Sequence, residues 1–305
     1  MLENLFSVVL FFSLGYLSRK LKIYTEESSK VLIDFIIYFA LPSMVIYNIQ
    51  SLEFKSYYVW ILVFGWLAII LSIFISFLAG KFLKLNRITL ASFVMMSSFG
   101  NTTFLGIPFN MALFGEESVK YVIIFDQLSS FLPVILLSPF ILAYGQETDK
   151  IKIDWKKIIT FPPFVTLIIS FMLKPFLTIP EFILGSLHLL GLTVVPLALF
   201  SVGMNLRFSN LRERIRDVSA VLFIKMVLVP SLFLLFFVLI GMEGELFTKV
   251  AIIEVAMPPM VLASILVMGA NLDKDLAASS VASGIIFSFV SIPIFYVLIN
   301  KLIGF

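Results

Sequence analysis

Charged residues in this chain fall in short clusters, and the apolar runs between them are roughly 20 residues or longer, enough to cross about 30 Å of hydrocarbon. That pattern constrains the fold more than any single motif. Only 13% of residues are charged and 60% are apolar, with a mean hydropathy of +1.08, whereas a soluble domain carries about a quarter charged residues. The polar gaps are too short to form a soluble domain. Strands of a membrane barrel would be about ten residues with strict alternation; these runs are continuous and longer, so helices are expected. The first run, Leu5–Leu17, is followed rather than preceded by its positive charges (Arg19, Lys20, Lys22) and has no small-residue cleavage site. It therefore reads as a retained helix, not a signal peptide. Cysteine is absent, which excludes disulfides, thiolate chemistry and cysteine metal sites.

Ten spans are expected, at 4–19, 28–50, 57–80, 88–114, 118–144, 158–178, 182–206, 216–241, 246–271 and 276–300. Sorting Lys and Arg by connection places 16 on the odd-numbered side and 5 on the other, with Lys225 inside a span. The positive-inside rule then puts the odd connections in the cytoplasm and both termini outside. The longest polar connection, 145–157, is cytoplasmic in this scheme, and the membrane is the plasma or inner membrane. A slide of 154 residues lays Pro42 on Pro196, Phe54 on Phe208, Gly115 on Gly269 and Pro139 on Pro293, together with three loop charges. The chain therefore divides into a five-helix repeat at 1–145, a short linker at 146–157 and a second repeat at 158–305. Five is odd, so the second repeat enters from the opposite side. The fold class expected is an all-α membrane protein with a 5+5 inverted repeat, the architecture of many secondary transporters.

Within the fourth span the stretch "SFGNTTFLGIPF" carries Gly100, Asn101, Thr102, Thr103, Gly106 and Pro108, poor material for an unbroken helix in lipid. At the same offset its counterpart in the ninth span is "EVAMPPMVL", with Pro258 and Pro259 adjacent. Proline removes a backbone donor and clashes with the preceding turn. Both halves thus carry an interruption at corresponding positions, a pointer to a transporter's site. Unwound backbone in lipid needs protein or a water-filled cavity to satisfy it. Half-helices starting near Pro108 and Pro258 would turn free N–H groups and partial positive charge toward the gap, a place for an anion.

Among ionisable groups, Glu254 lies beside the second break near mid-membrane, where a carboxylate costs on the order of 3 kcal/mol on insertion scales. It is the leading candidate for proton coupling or for a cation site; the bland reading is a carboxylate bonded to exposed backbone. Asp126 and Gln127 can reach the crossing from the fifth span, or serve helix-to-helix hydrogen bonding. Lys225 can pair with Glu254 or snorkel to the cytoplasmic surface. Ser43, after Pro42, is a candidate for the cavity lining. Asp34 reads as interfacial and His188 as structural, and Asn48, Asn110, Asn205 and Asn271 lie near span ends.

The runs "GNTTFLGIPF" and "FALPSMVIYNI", with the double proline of the ninth span, resemble the auxin efflux carrier family, which includes plant auxin carriers and bacterial malate or malonate permease-like members. The resemblance covers essentially the whole chain. It implies ten helices in a five-plus-five inverted repeat, a scaffold with a mobile transport portion, and helices 4 and 9 crossing at their breaks. It maps the family's crossover asparagine and proline onto Asn101 and Pro108, its ninth-helix proline onto Pro258 or Pro259, and its polar pair onto Asp126–Gln127, where an acid departs from the plant pattern. The long cytoplasmic loop of plant members is reduced to 145–157. A homodimer is also implied.

The function expected is secondary transport of small organic anions, carboxylates and auxin-like acids included, by an elevator or rocking movement. Asn101, Thr102, Thr103, Gly106, Pro108, Pro258, Pro259, Ser43 and Gln127 would touch substrate; Glu254, Asp126 and Lys225 would serve ion coupling. H⁺ is the coupling ion, with Na⁺ in a bile-acid-type symporter of similar fold as the alternative. The partners are the substrate anion and the lipid bilayer; no nucleic acid, cofactor or metal is called for. No nucleotide-binding motif is visible, which argues against ATP-driven transport by this chain alone. An intramembrane enzyme is disfavoured by a single histidine and no HExxH motif; a channel or receptor is the other rival class.

Overall fold

The computed structural model describes residues 2–50, 58–146, 156, 160–206, 211–241 and 244–303. Most of the expected linker, 147–155 and 157, lies outside the described residues. Among the described residues the chain is helical with no named strand, and its one β feature is an isolated antiparallel bridge between Gly100 and Pro259. Helix dominates because it satisfies every backbone group within its own segment where water is absent.

Among the described residues, six helices are long and apolar enough to cross a membrane: Glu27–Gln50, Val59–Phe82, Glu116–Gln146, Glu181–Met204, Glu213–Leu239 and Lys274–Leu302. The expected first, fourth, sixth and ninth spans are not among them, and the fourth and ninth are missing for a physical reason. Each is divided, into Arg87–Ser98 with Ile107–Phe114 and into Leu246–Val255 with Val261–Gly269. A helix of 12 residues reaches about 18 Å, short of a bilayer's hydrocarbon.

The described helices fall into two compact units, and each draws on both halves of the sequence. The first comprises Met1–Ser56, Thr103–Ile123 and Asp154–Leu206; the second comprises Tyr57–Thr102, Ile124–Ile153 and Arg207–Phe305. In the first unit, Leu2–Lys20 packs against Val194–Met204 at backbone range. A methyl on Gly15 would strike the Phe200 carbonyl, and one on Gly203 the Phe12 carbonyl. Small residues are the usual means of close helix approach in membranes. Arg19 Nη1 donates to the Met204 carbonyl at 2.9 Å, where a cation suits the negative end of a helix.

In the second unit, Arg87–Ser98 is buried from Thr89 to Ser98. A helix enclosed on every side is the one that can afford a break, because protein rather than lipid surrounds the exposed backbone. Asn86 caps its start, accepting from the Thr89 amide at 2.9 Å. Asp273 caps Lys274–Leu302, accepting from the Leu276 amide at 3.1 Å, and also takes the Thr89 hydroxyl at 3.0 Å and Arg214 at 2.8 Å.

Four helices contain a widened, five-residue π turn: Ile36–Ala40, Thr102–Gly106, Gln127–Phe131 and Ile224–Leu228. Each is followed two residues later by a proline: Pro42, Pro108, Pro133 and Pro230. In the third, the Leu132 amide reaches back to the Gln127 carbonyl. The next carbonyl, Leu128, would need the N–H that Pro133 lacks. The Trp66 indole supplies it at 3.0 Å.

Candidate functional site

Both predicted interruptions are present and they meet each other. The first helix ends at Ser98 and the second at Val255. Between the two gaps the Asn101 amide donates to the Pro258 carbonyl at 2.8 Å, and the Met260 amide donates to the Phe99 carbonyl at 2.9 Å. The first gap is shorter than the expected 100–108: helical winding resumes at Thr102 as a π turn, and Pro108 lies in the first turn of Ile107–Phe114. There the missing amide costs little, being one that a helix start leaves unpaired anyway.

This pairing uses amides of the gaps themselves. Buried backbone groups pair with whatever partner is nearest. The Asn101 and Met260 amides are used in joining the gaps, and the Thr102 amide bonds to the Gly100 carbonyl at 3.0 Å.

Beside the junction lies a cavity built wholly from the second unit. Gly65, Ala68, Ile69 and Ser72 line one wall; Ser98, Gly100 and Thr102 come from the first gap and its two edges; Phe125, Ser129 and Ser130 from the fifth span; Lys225, Glu254 and Val255 complete it. It leaves about 20 Å³ for the centre of a water-sized guest, room for one water or a monatomic ion but not for a carboxylate solute. Its charged groups are enclosed: Glu254 is 1% exposed, nearby Asp126 2% and Lys225 4%. The Lys225 ammonium donates to the Val255 carbonyl at 2.5 Å, at the negative end of Leu246–Val255. Glu254 interacts electrostatically with both Lys225 and Asp126. Asp126 accepts from the Thr102 hydroxyl on Oδ1 and from Gln127 Nε2 on Oδ2, each at 2.5 Å.

Eight of the residues singled out in the sequence therefore gather in the second unit at or beside the junction: Asn101, Thr102, Asp126, Gln127, Lys225, Glu254, Pro258 and Pro259. Thr103, Gly106, Pro108 and Ser43 belong to the first unit. The Ser43 hydroxyl donates to the Phe39 carbonyl of its own helix at 2.8 Å, and Asn48, Asn110 and Asn205 likewise bond back four residues, a local habit of short polar side chains. Asp34 is exposed. His188 stacks on Tyr47 at 4.3 Å between centroids and meets Glu116 at 2.5 Å, all within the first unit. Asn271 adopts a left-handed φ of 54° just past the end of Val261–Gly269.

Sequence reasoning passed over Gly65, Ser72, Ser98, Ser129 and Ser130. Two signals mark them. Small residues at 65, 68 and 72 recur at helical spacing on one face of the third span. The serine pairs 97–98 and 129–130 directly precede the first gap and follow Asp126–Gln127. The prolines at 133 and 230 were the other unread cue, since they open the π turns that begin at Gln127 and Ile224.

A many-helix membrane protein whose broken helices meet around buried ionisable groups has the construction of a membrane transporter. The chain belongs to the Membrane transport protein family, that of the auxin efflux carriers, whose model matches residues 1–296. It is 30% identical over 303 residues to an uncharacterized transporter of Methanocaldococcus jannaschii, covering 96% of this chain and 97% of the relative. It is 26% identical over 300 residues to an uncharacterized transporter of Methanothermobacter thermautotrophicus, covering 97% and 98%. Family and relatives are transporters rather than enzymes. The chain is a multi-pass membrane transporter.

Proposed function

We propose that this transporter is a secondary carrier of small organic anions, carboxylates first among them, working by an elevator form of alternating access. The observation that carries the reading is the hydrogen-bonded junction of two helix gaps beside a buried, charged cavity. Irregular backbone at membrane depth is tolerated where it builds a site. Because the cavity's lining comes from one unit alone, that unit is suited to move as the transport body, with the other as scaffold. The apolar runs and the 154-residue offset support ten spans in a 5+5 inverted repeat, and the charge distribution supports extracytoplasmic termini with the 145–157 connection in the cytoplasm. The hydroxyls of Ser72, Ser98, Thr102, Ser129 and Ser130 supply donors for an anion once the cavity opens, and Lys225 serves ion coupling. Asn101, Gln127, Pro258 and Pro259 shape that opening; Thr103, Gly106, Pro108 and Ser43 are assigned to the substrate path.

Coupling is assigned to H⁺ through Glu254 with Asp126, and Na⁺ is the alternative. The test is uptake of labelled small carboxylates into proteoliposomes with and without a pH gradient, for wild type and Glu254→Gln. Saturable accumulation that follows the gradient in wild type and not in the variant supports the reading. Linear, non-accumulating flux would indicate a channel, and an unchanged gradient response in the variant would remove Glu254 from the coupling role.

A further inference from the structure

Among the described residues Lys225 is the one cation lining the cavity, and its surroundings are those of a small-cation site. Its ammonium sits against the end of Leu246–Val255, donating to the Val255 carbonyl at 2.5 Å. The last carbonyls of a helix carry partial negative charge and lack helical partners. The Glu254 carboxylate interacts electrostatically with this ammonium and with Asp126. The same cavity is also lined by the hydroxyl-bearing Ser98, Thr102, Ser129 and Ser130, beside the apolar Ala68, Ile69 and Phe125. The Ser98 hydroxyl is buried and has no hydrogen-bond partner in the structure. Oxygen ligands of this kind, carboxylate, carbonyl and hydroxyl together, are what hard metal cations take.

Space at the ammonium is also specific. A methyl on Gly100 would stand 3.1 Å from Lys225 Nζ and 3.2 Å from Cε, so the first gap leaves its backbone bare where the lysine arrives. The lysine is itself presented from the π turn Ile224–Leu228, ahead of Pro230. A widened turn and an absent side chain together seat one ammonium at the junction.

We propose that Lys225 is a built-in counter-ion: its tethered ammonium occupies the place that a monovalent cation would otherwise fill, so that the junction holds together without bound sodium. The inference rests on the reading of this cavity as the coupling site and selects H⁺ over Na⁺ there. Removing the side chain exposes the Val255 carbonyl and the Glu254 carboxylate to a hole enlarged by the lysine head group, and a free cation then enters it.

The experiment is thermal unfolding of the purified full-length protein, wild type, Lys225→Ala and Lys225→Gln, in sodium chloride, choline chloride and methylammonium chloride at equal ionic strength. Wild type is expected to unfold at one temperature in all three salts. The variants are expected to melt lower in choline and to recover as sodium or methylammonium is raised, as mass action requires of a ligand that binds the folded state. A sodium-specific rise in the wild type overturns the proposal, since a cation site would then exist beside the lysine. Variants that respond alike to all three salts overturn it, and so do variants that do not fold in any of them. The readout is stability, so it stands or fails apart from carboxylate uptake.

Discussion

Gly284→Ala tests whether the junction depends on the helix beside it. Gly284 lies in Lys274–Leu302. A β-carbon there would stand 2.6 Å from Pro259 Cδ, 3.1 Å from Pro258 Cβ and 3.2 Å from Leu222 Cδ2. Ordinary contact begins near 3.4 Å, so the shortfall against Pro259 is 3.4 − 2.6 = 0.8 Å. A proline ring cannot turn aside as a leucine tip can, because Cδ is bonded to the backbone nitrogen. Pro259 must therefore carry the backbone with it. That backbone is held by the Asn101-to-Pro258 and Met260-to-Phe99 bonds at 2.8 and 2.9 Å. Overpacking costs about 1–3 kcal/mol, and each bond lost adds about 0.5–1.5 kcal/mol net. The helix-propensity gain of alanine over glycine returns about 1 kcal/mol. The net loss is then about 1–5 kcal/mol. Gly185→Ala is the control: it is helical, with no atom within 4 Å of the added methyl, and should gain up to about 1 kcal/mol. Unfolding of both variants in mixed micelles, with carboxylate uptake in proteoliposomes, measures the difference. If Gly284→Ala shifts stability upward like Gly185→Ala and transports normally, the junction is not braced as the distances indicate.

Three further outcomes follow from the same geometry. Thr102→Val combined with Asp126→Ala in a double-mutant cycle should show a coupling of about 1–3 kcal/mol, the cost of leaving a buried hydrogen-bonding group without its partner; a coupling near zero would mean that the 2.5 Å contact contributes nothing. Trp66→Phe keeps the ring but removes the donor to Leu128, leaving a carbonyl that Pro133 cannot satisfy; a loss of about 1–3 kcal/mol is expected, read as a lower unfolding midpoint. Gly65→Ala places a methyl onto Ser129 Cβ, 2.8 Å from its Oγ and 3.1 Å from Phe125 Cε2, so it should reduce uptake and cost about 1–3 kcal/mol, whereas unchanged uptake would show that this wall can give way.

The amino-acid sequence by itself determined the helices, the membrane and the two places where helix fails. Those are local consequences: lipid leaves backbone no partner but its own turn, and Pro258, Pro259 and Gly100 interrupt that turn wherever the rest of the chain lies. It also nominated Glu254, Asp126, Gln127 and Lys225, because charge and amide groups stand out in apolar surroundings. Tertiary structure decided how the two gaps are satisfied. Asn101 and Pro258 are far apart along the chain, and only their meeting shows that the Asn101 and Met260 amides are taken by carbonyls of the opposite gap. It likewise decided that Lys225 reaches the Val255 carbonyl instead of the surface, and that Ser98 and Ser130 line a hole too small for the solute. A hydrogen bond's partner is set by distance in space, and no local rule of composition or spacing contains that distance.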